Sequence, residues 1–182
     1  MQLAEQISAV NRNPTEGQKA AGNYRKGHVR LHGLDISIEN PRGSYRSGRN
    51  PETGKEWRSR LPHHYGYIRG TEGSDGDHVD VFIGPHLRSS GVYVIDQNDL
   101  RTGEHDEHKV MIGFSSEKEA CDAYCKAFSD GRGKQRISSV DGMTMERFKE
   151  WLKDKAPRRR AAGGVVQDGP PPFELTSEVP PF

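Results

Sequence analysis

Few apolar and aromatic side chains limit what this sequence can encode. Of its 182 residues, 31% are hydrophobic and 8% are aromatic, which is enough for one modest core but not for two. No segment approaches the roughly 18 consecutive apolar residues of a membrane-spanning helix. The first residues also lack the basic and then apolar pattern of a secretion signal. We therefore expect one cytoplasmic domain with no membrane partner.

An excess of charge of either sign is also absent. The 27 basic and 26 acidic side chains leave a formal net charge of +1, so the sequence gives no strong signal for nucleic-acid binding. The only cysteines are Cys121 and Cys125, which share one face of a predicted helix with Phe128. Two small core side chains are a simpler interpretation of this pair than a metal or redox site.

Glycine and proline are abundant instead, and they divide the chain into three segments. There are 21 glycines and 11 prolines, which is typical of a loop-rich β fold with loose ends. Residues 1–27 are polar and predict an N-terminal arm. Residues 156–182 combine an arginine cluster with proline runs and predict a disordered tail. The folded domain is expected over residues 28–155.

Within that domain, the apolar pattern predicts strands first and helices last. Alternating apolar residues indicate five or six short strands, the first two forming a hairpin over residues 29–38. One helix is expected to begin at Ser116, with Glu119 completing a capping box, and another to span residues 144–155. The order favours an α+β, mainly β fold: a small OB-like β-barrel of five or six strands with two C-terminal helices packed on it.

Three aspartates within six residues form the most informative segment. Asp75, Asp77 and Asp80 surround Gly76 at the mouth of an apolar strand. Carboxylates this close repel one another unless a cation lies between them, and hard oxygen ligands select Mg²⁺, Mn²⁺ or Ca²⁺. An ordinary acidic turn is the alternative, since Asp-Gly is a common hairpin signal. An EF-hand is excluded, because the twelfth position from Asp75 is His86 and not glutamate.

Other predicted strand ends carry further charged groups. Glu39 closes one strand, and Lys109 enters another. Between them, the acids around a later turn are Asp96, Asp99, Asp106 and Glu107. Carboxylates mixed with lysine and arginine suit a metal ion together with a phosphate. The histidines, in contrast, form no H-E-x-x-H or Cys/His pattern, which disfavours zinc.

Three stretches of the sequence match the signature of a known family. The first is Tyr65-Gly66-Tyr67-Ile68, followed by Gly70-Thr71 and by Asp75-Gly76-Asp77-His78-Val79-Asp80-Val81. The second is Ile38-Glu39-Asn40-Pro41-Arg42-Gly43-Ser44, and the third is Asn50-Pro51-Glu52-Thr53-Gly54. They resemble the family I soluble inorganic pyrophosphatases, with His78 in place of a proline. The layout is also similar to the shorter pyrophosphatase-like (InPase) domains of phage and mobile-element proteins, which implies a bacterial or phage-infected host cell.

The resemblance implies Mg²⁺-dependent hydrolysis of inorganic pyrophosphate by metal-activated water, with two or more Mg²⁺ ions or Mn²⁺ in their place. It makes Asp77 the general base, with Tyr65 and Lys109 on the phosphate. The implied metal ligands are Asp75, Asp80, Glu107, Glu39, Asp96 and Asp99, with Asp106 as an alternative to Glu107 and the choice between Asp96 and Asp99 open. The implied phosphate ligands are Arg46, Arg49, Arg60 and Lys153.

The sequence departs from this family on the phosphate side. Ser47-Gly48-Arg49 stands where the family has Lys-Tyr-Glu, and Leu152 stands where it has a tyrosine. Two alternatives therefore stay open. One is a hydrolase of another phosphoanhydride, such as a nucleotide or a signalling molecule, on the same fold. The other is a non-catalytic, metal-stabilised binding module, although Asp77 has no purpose in such a module. A homo-oligomer is compatible with the sequence.

Overall fold

Nine strands and five helices are found in residues 3–154, the part of the chain that the computed structural model describes. The strands are β1 Gly27–Leu31, β2 Leu34–Asn40, β3 Tyr45–Arg49, β4 Glu56–Arg60, β5 His64–Ile68, β6 Asp80–Ile83, β7 Gly91–Asn98, β8 His105–Ile112 and β9 Ile137–Thr144. The helices are α1 Leu3–Ser8, α2 Glu16–Ala20, α3 Glu117–Lys126, α4 Gly133–Arg136 and α5 Met145–Lys153. The predicted tail, residues 156–182, lies outside the described residues.

Seven of these strands form one mixed sheet in the order β1-β2-β5-β6-β8-β7-β9. β6 and β8 run parallel, and the other neighbours in the sheet are antiparallel. β3 and β4 form a separate two-stranded hairpin. The mainly β class is confirmed, but the sheet has β1 and β9 at its two edges and does not close. The predicted OB-like barrel is therefore not confirmed.

The open sheet differs from the predicted barrel because of two polar segments, β9 and the β3–β4 hairpin. β9 has mostly polar and half-buried side chains, and it adds an edge strand beside β7. The β3–β4 hairpin is mostly exposed and rich in arginine. Neither segment has the clear apolar alternation that predicts a strand. Both segments form strands because their backbones pair with a neighbouring strand. The periodicity of the sequence does not predict such pairing.

The β1–β2 hairpin is confirmed, and its turn explains its register. Leu31 pairs with Leu34 across the turn residues His32 and Gly33. Both turn residues have positive φ, 50° and 82°. This is the backbone of the tight turns whose twist matches that of two antiparallel strands.

The sheet buries a different apolar cluster on each face. On the face covered by α5, Val81, Val94 and Val110 pack with Phe148; we call it the α5 face. On the face covered by α3, the cluster contains Tyr65, Phe82, Met111 and Tyr124; we call it the α3 face. Because side chains alternate along a regular strand, neighbouring residues over 107–112 in β8 point to opposite faces.

The two predicted helices are confirmed as α3 and α5. Ser116 caps α3 by accepting a hydrogen bond from the Glu119 N–H at 3.2 Å. Thr144 caps α5 in the same way, through the Arg147 N–H at 3.3 Å. None of the helices described in residues 3–154 is long and apolar enough to cross a membrane.

Candidate active site

A buried lysine on β8 joins two carboxylates on the α3 face. Lys109 Nζ lies 2.5 Å from Asp80 Oδ2 and 2.8 Å from Glu107 Oε2. It also donates a hydrogen bond to the Tyr65 hydroxyl at 3.0 Å, and that hydroxyl donates to Asp80 Oδ2. These four residues are the Lys109 cluster. Strand pairing positions it, since Asp80 lies opposite Lys109 in the parallel β6–β8 pair.

The cluster fixes the protonation of its members. Burial alone would raise the pKa of Asp80, but the Lys109 ammonium and the hydrogen bonds from Lys109 and Tyr65 hold it below its ordinary value. Burial raises the pKa of Glu107, and Lys109 offsets only part of this effect. Burial also raises the pKa of Tyr65 to about 12. At neutral pH, Tyr65 is therefore a neutral hydrogen-bond donor beside an ionised Asp80.

A glutamine on β7 donates a hydrogen bond to Glu107. Gln97 Nε2 donates to Glu107 Oε1 at 3.0 Å and to Asp106 Oδ2 at 2.9 Å. The Tyr124 hydroxyl orients the same amide by donating to Gln97 Oε1 at 2.8 Å. Glu107 thus contacts Lys109 directly, whereas Asp106 contacts the glutamine. The sequence did not predict Gln97, since nothing distinguishes it from an ordinary polar residue of a strand.

The other two aspartates lie on the exposed loop before β6. Asp75 Oδ1 accepts the Asp77 N–H at 3.1 Å, and the Gly73 N–H bonds to the Asp77 carbonyl at 2.6 Å. Gly76 has φ 88°, so the bend expected near it is present and needs the freedom of glycine. Asp75 and Asp77 are both exposed, at the entrance to the strand that carries Asp80.

A positively charged cleft opens beside the cluster. The Arg46 guanidinium lies 4.5 Å from the centre of the Tyr65 ring and also lines a cleft of about 610 Å³. The basic residues that line the cleft are Arg12, Lys19, Arg46 and Arg58. The one acid in the lining, Glu39, is paired with Lys26 at 2.9 Å. The cleft is therefore suited to an anion.

Glu39 is tied to the N-terminal segment. It accepts a hydrogen bond from the Tyr24 hydroxyl at 3.0 Å and forms the ion pair with Lys26. Lys26 also lies 5.0 Å from the ring centre of Tyr67. Tyr24 and Lys26 belong to the segment that the sequence predicts as an N-terminal arm with no role at the site. The sequence signal that could have indicated these contacts is the run of polar residues just before β1.

The remaining predicted site residues lie elsewhere. Asp96 is on the α5 face, where its Oδ1 lies 3.1 Å from His108 Nε2. Asp99 is in the β7–β8 turn and accepts the Arg101 N–H at 2.6 Å. The others are Arg49, paired with Glu56 on the hairpin; Arg60, whose Nε is 3.4 Å from the Gly43 carbonyl; and Lys153, the exposed last residue of α5.

The donor set of the Lys109 cluster fits a hard divalent cation. Asp80 and Glu107 offer carboxylate oxygens that lie within 2.8 Å of the same Lys109 nitrogen, so the two side chains are close together. Asp75 and Asp77 add two exposed carboxylates on the adjoining loop. Oxygen ligands of this type suit Mg²⁺ or Mn²⁺.

Comparison with known proteins gives a family match over more than half of the chain. The model of the family described as "InPase: Inorganic Pyrophosphatase" matches residues 16–153. Similar solved structures include inorganic pyrophosphatases from Neisseria gonorrhoeae (18% identity, 66% of this chain and 88% of that one, TM-score 0.39) and Coxiella burnetii (16% identity, 66% and 89%, TM-score 0.36). Another is from Helicobacter pylori (16% identity, 70% and 92%, TM-score 0.35). No curated protein matches the chain.

Proposed function

Because this chain belongs to the inorganic pyrophosphatase family, we propose that it hydrolyses inorganic pyrophosphate to two phosphates in a Mg²⁺-dependent reaction at the Lys109 cluster. Its class, a hydrolase of pyrophosphate, follows from the family. The observation that carries the proposed site is the Lys109 cluster itself, which Arg46 connects to a cationic cleft.

Asp75, Asp80 and Glu107 are the residues that would hold Mg²⁺. When bound, Mg²⁺ supplies positive charge against the phosphate oxygens and makes nearby water more acidic. Asp80 is ionised at neutral pH, because Lys109 and Tyr65 hold its pKa below the ordinary value. Glu107, which pairs with Lys109 at 2.8 Å, is the second carboxylate of the cluster that would face the cation.

Asp77 is the residue that would take the proton from the attacking water. It is exposed on the loop before β6, and its own N–H donates a hydrogen bond to Asp75 Oδ1. In the reaction, a bond forms between the water oxygen and one phosphorus, and the bond from that phosphorus to the bridging oxygen breaks. The proton moves to Asp77, and the second phosphate leaves with the electrons of the broken bond.

Lys109 and the cleft arginines would neutralise the charge of the substrate. Burial would lower the pKa of Lys109, but the neighbouring Tyr65, Asp80 and Glu107 raise it above its ordinary value. Lys109 therefore stays charged and can donate to a phosphate oxygen. The lysine that the family carries near residue 47 is missing here, and Arg46 and Arg58 offer cations in the same cleft.

The test is phosphate release from pyrophosphate with Mg²⁺, for the wild-type chain and Asp80→Asn. We expect Asp80→Asn to lower kcat/KM by at least about 100-fold, because it removes the charge of a carboxylate that contacts Lys109 and would hold the cation. Asp35→Asn is the matched control, since Asp35 is an exposed aspartate of β2 paired with Arg30 at 3.9 Å. Equal rates for all three proteins would contradict the proposed site.

The size of the cleft favours a second candidate, a phosphoanhydride with an organic substituent. The volume of about 610 Å³ falls in the range of roughly 300–1,000 Å³ that is typical of pockets for organic ligands. The exposed Tyr45 ring, which stacks on Arg58 at 3.7 Å, also lines it. A nucleotide panel decides between them: a higher kcat/KM for one nucleotide than for pyrophosphate would replace the first proposal. If divalent ions stabilise the protein but neither pyrophosphate nor any nucleotide is hydrolysed, the chain acts as the non-catalytic, metal-stabilised binding module.

A further inference from the structure

Three metal-ligating side chains meet on the α5 face, behind the Lys109 cluster. Asp96, His105 and His108 each offer one ligand atom, and the three atoms lie within 4.8 Å of one another. The side chains of Asp96 and His108 are 0% and 1% exposed. Asp96 Oδ1 lies 3.1 Å from His108 Nε2, so a carboxylate and an imidazole already face each other at this depth.

An irregularity in the sheet brings these residues together. Asp96 lies opposite His108, Gln97 opposite Glu107, but Asn98 opposite His105. The pairing skips Asp106, so β8 carries one extra residue there. In a regular strand, His105 would share a face with Glu107. The bulge returns it to the face of His108, and bulges commonly re-aim a side chain in this manner.

Two of the ligands are held by an outer hydrogen-bond partner. The Ser139 hydroxyl donates to Asp96 Oδ2. His105 Nε2 lies 3.1 Å from the Ser74 hydroxyl. The other ring nitrogen of His105, Nδ1, is then the one that can bind a metal ion. That nitrogen is buried and has no hydrogen-bond partner among the described residues. Metal-binding histidines usually have their second ring nitrogen engaged in this way, because it fixes the ring orientation.

We propose that Asp96, His105 and His108 bind one Zn²⁺ ion at a site separate from the Lys109 cluster. Two imidazoles and a carboxylate are ligands that suit Zn²⁺ better than Mg²⁺. Ligand atoms at about 2.0–2.2 Å from zinc in a tetrahedron stand about 3.3 Å apart. Asp96 Oδ1 and His108 Nε2 are already 3.1 Å apart, so only His105 has to approach. Three protein ligands leave the fourth position to a water molecule.

The site also connects to the loop that carries Asp75 and Asp77. His105 bonds to Ser74, the residue directly before Asp75. An ion that fixes His105 would therefore steady this loop from the opposite face of the sheet. The link to catalysis rests on the proposed function, but zinc binding does not.

Zinc binding can be measured on the full chain with the metal alone. After treatment with a chelator, the protein is loaded with Zn²⁺ or Co²⁺ in excess Mg²⁺ and exchanged into metal-free buffer. We expect one Zn²⁺ per chain by mass spectrometry of the metal, and a Co²⁺ absorption spectrum typical of tetrahedral nitrogen and oxygen ligands. Slower amide exchange over residues 73–77 in the zinc-loaded protein would show the connection to the loop.

Three variants locate the ion. His105→Gln should weaken Zn²⁺ binding by at least about 100-fold, whereas His63→Gln, at a histidine that packs on Phe114, should bind normally. Asp80→Asn should also keep its zinc, which separates this site from the Lys109 cluster. A wild-type chain that retains no Zn²⁺, or equal affinity in His105→Gln and His63→Gln, would overturn the proposal. If His105→Gln does not fold, the wild-type stoichiometry and the Co²⁺ spectrum decide.

Discussion

At the scale of single residues, Lys109 connects stability with chemistry. It is the cation between Asp80 and Glu107, and its side chain is only 6% exposed. Lys109→Met would leave the carboxylates of Asp80 and Glu107 without the cation that lies between them. We expect a loss of about 3–5 kcal/mol in the free energy of unfolding at neutral pH and loss of most pyrophosphate hydrolysis. Urea unfolding and phosphate release measure the two effects.

A surface lysine provides the comparison for Lys109. Lys118 pairs with Asp122 one helical turn away at 2.6 Å, and both side chains are exposed. Lys118→Met should therefore change the free energy of unfolding by no more than about 0.5 kcal/mol. Similar losses for Lys109→Met and Lys118→Met would show that the buried ion pairs do not act as described.

His64 is expected to make the free energy of unfolding depend on pH. Its Nδ1 accepts the Arg42 N–H at 2.9 Å, and burial, aided by His63 and Arg42, lowers its pKa from 6.5 to about 4. Between these pH values the unfolded chain binds more protons at this residue than the folded one. Its contribution to stability is therefore complete above pH 6.5 and declines as the pH falls toward 4.

Imidazole NMR and urea unfolding test this contribution. The His64 ring should remain neutral at pH values where ordinary histidines are charged. His64→Gln should make the stability less dependent on pH within that window, while the same change at the exposed His86 serves as control. An ordinary titration of the His64 ring would contradict the assignment.

At the scale of elements, Gly66 shows why the Tyr-Gly-Tyr segment has a glycine. β5 lies between β2 and β6 in the sheet. A Cβ atom added at Gly66 would stand 1.9 Å from the Ser37 carbonyl oxygen of β2. Gly66→Ala should lower the free energy of unfolding by about 3 kcal/mol or more, because strand backbone must move. Thermal and urea unfolding measure the loss.

Gly17 is a suitable control for that substitution. It lies in α2, and an added Cβ there would meet nothing within 4 Å. Gly17→Ala should be neutral or stabilising by about 0.5–1 kcal/mol, as expected for alanine in a helix. Unfolding of Gly66→Ala at the wild-type midpoint would mean that β2 and β5 are less closely paired than the structure shows.

The elements also show how far periodicity predicts this fold. The β1–β2 hairpin, β5 to β8, and helices α3 and α5 follow from local apolar spacing and caps. β3, β4 and β9 do not, because their pairing is decided by the neighbouring strand. The bulge at Asp106 is a non-local feature as well, and it decides which acids and histidines share a face.

At the scale of the whole molecule, one sheet carries different chemistry on its two faces. The α3 face holds carboxylates around Lys109, and the α5 face holds Asp96 with two histidines. The motif containing Asp75, Asp77 and Asp80 could be predicted from the sequence, since its members are neighbours. The cleft could not, because Arg12 and Lys19 reach it from the N-terminal segment only after folding. Asp96, which the family resemblance offered as a metal ligand in alternative to Asp99, lies against His108 on the other face of the sheet from Asp80.

Hydrolysis of pyrophosphate by water, with Asp77 as the base, can be followed by ³¹P NMR of pyrophosphate incubated with the wild-type chain and Mg²⁺ in ¹⁸O-labelled water. We expect pyrophosphate to be converted to phosphate, with one labelled oxygen per pyrophosphate, because one water attacks one phosphorus. Asp77→Asn should slow this conversion by at least about 100-fold while still binding Mg²⁺. An unchanged pyrophosphate signal with the wild-type chain, or conversion at the wild-type rate by Asp77→Asn, would contradict the account.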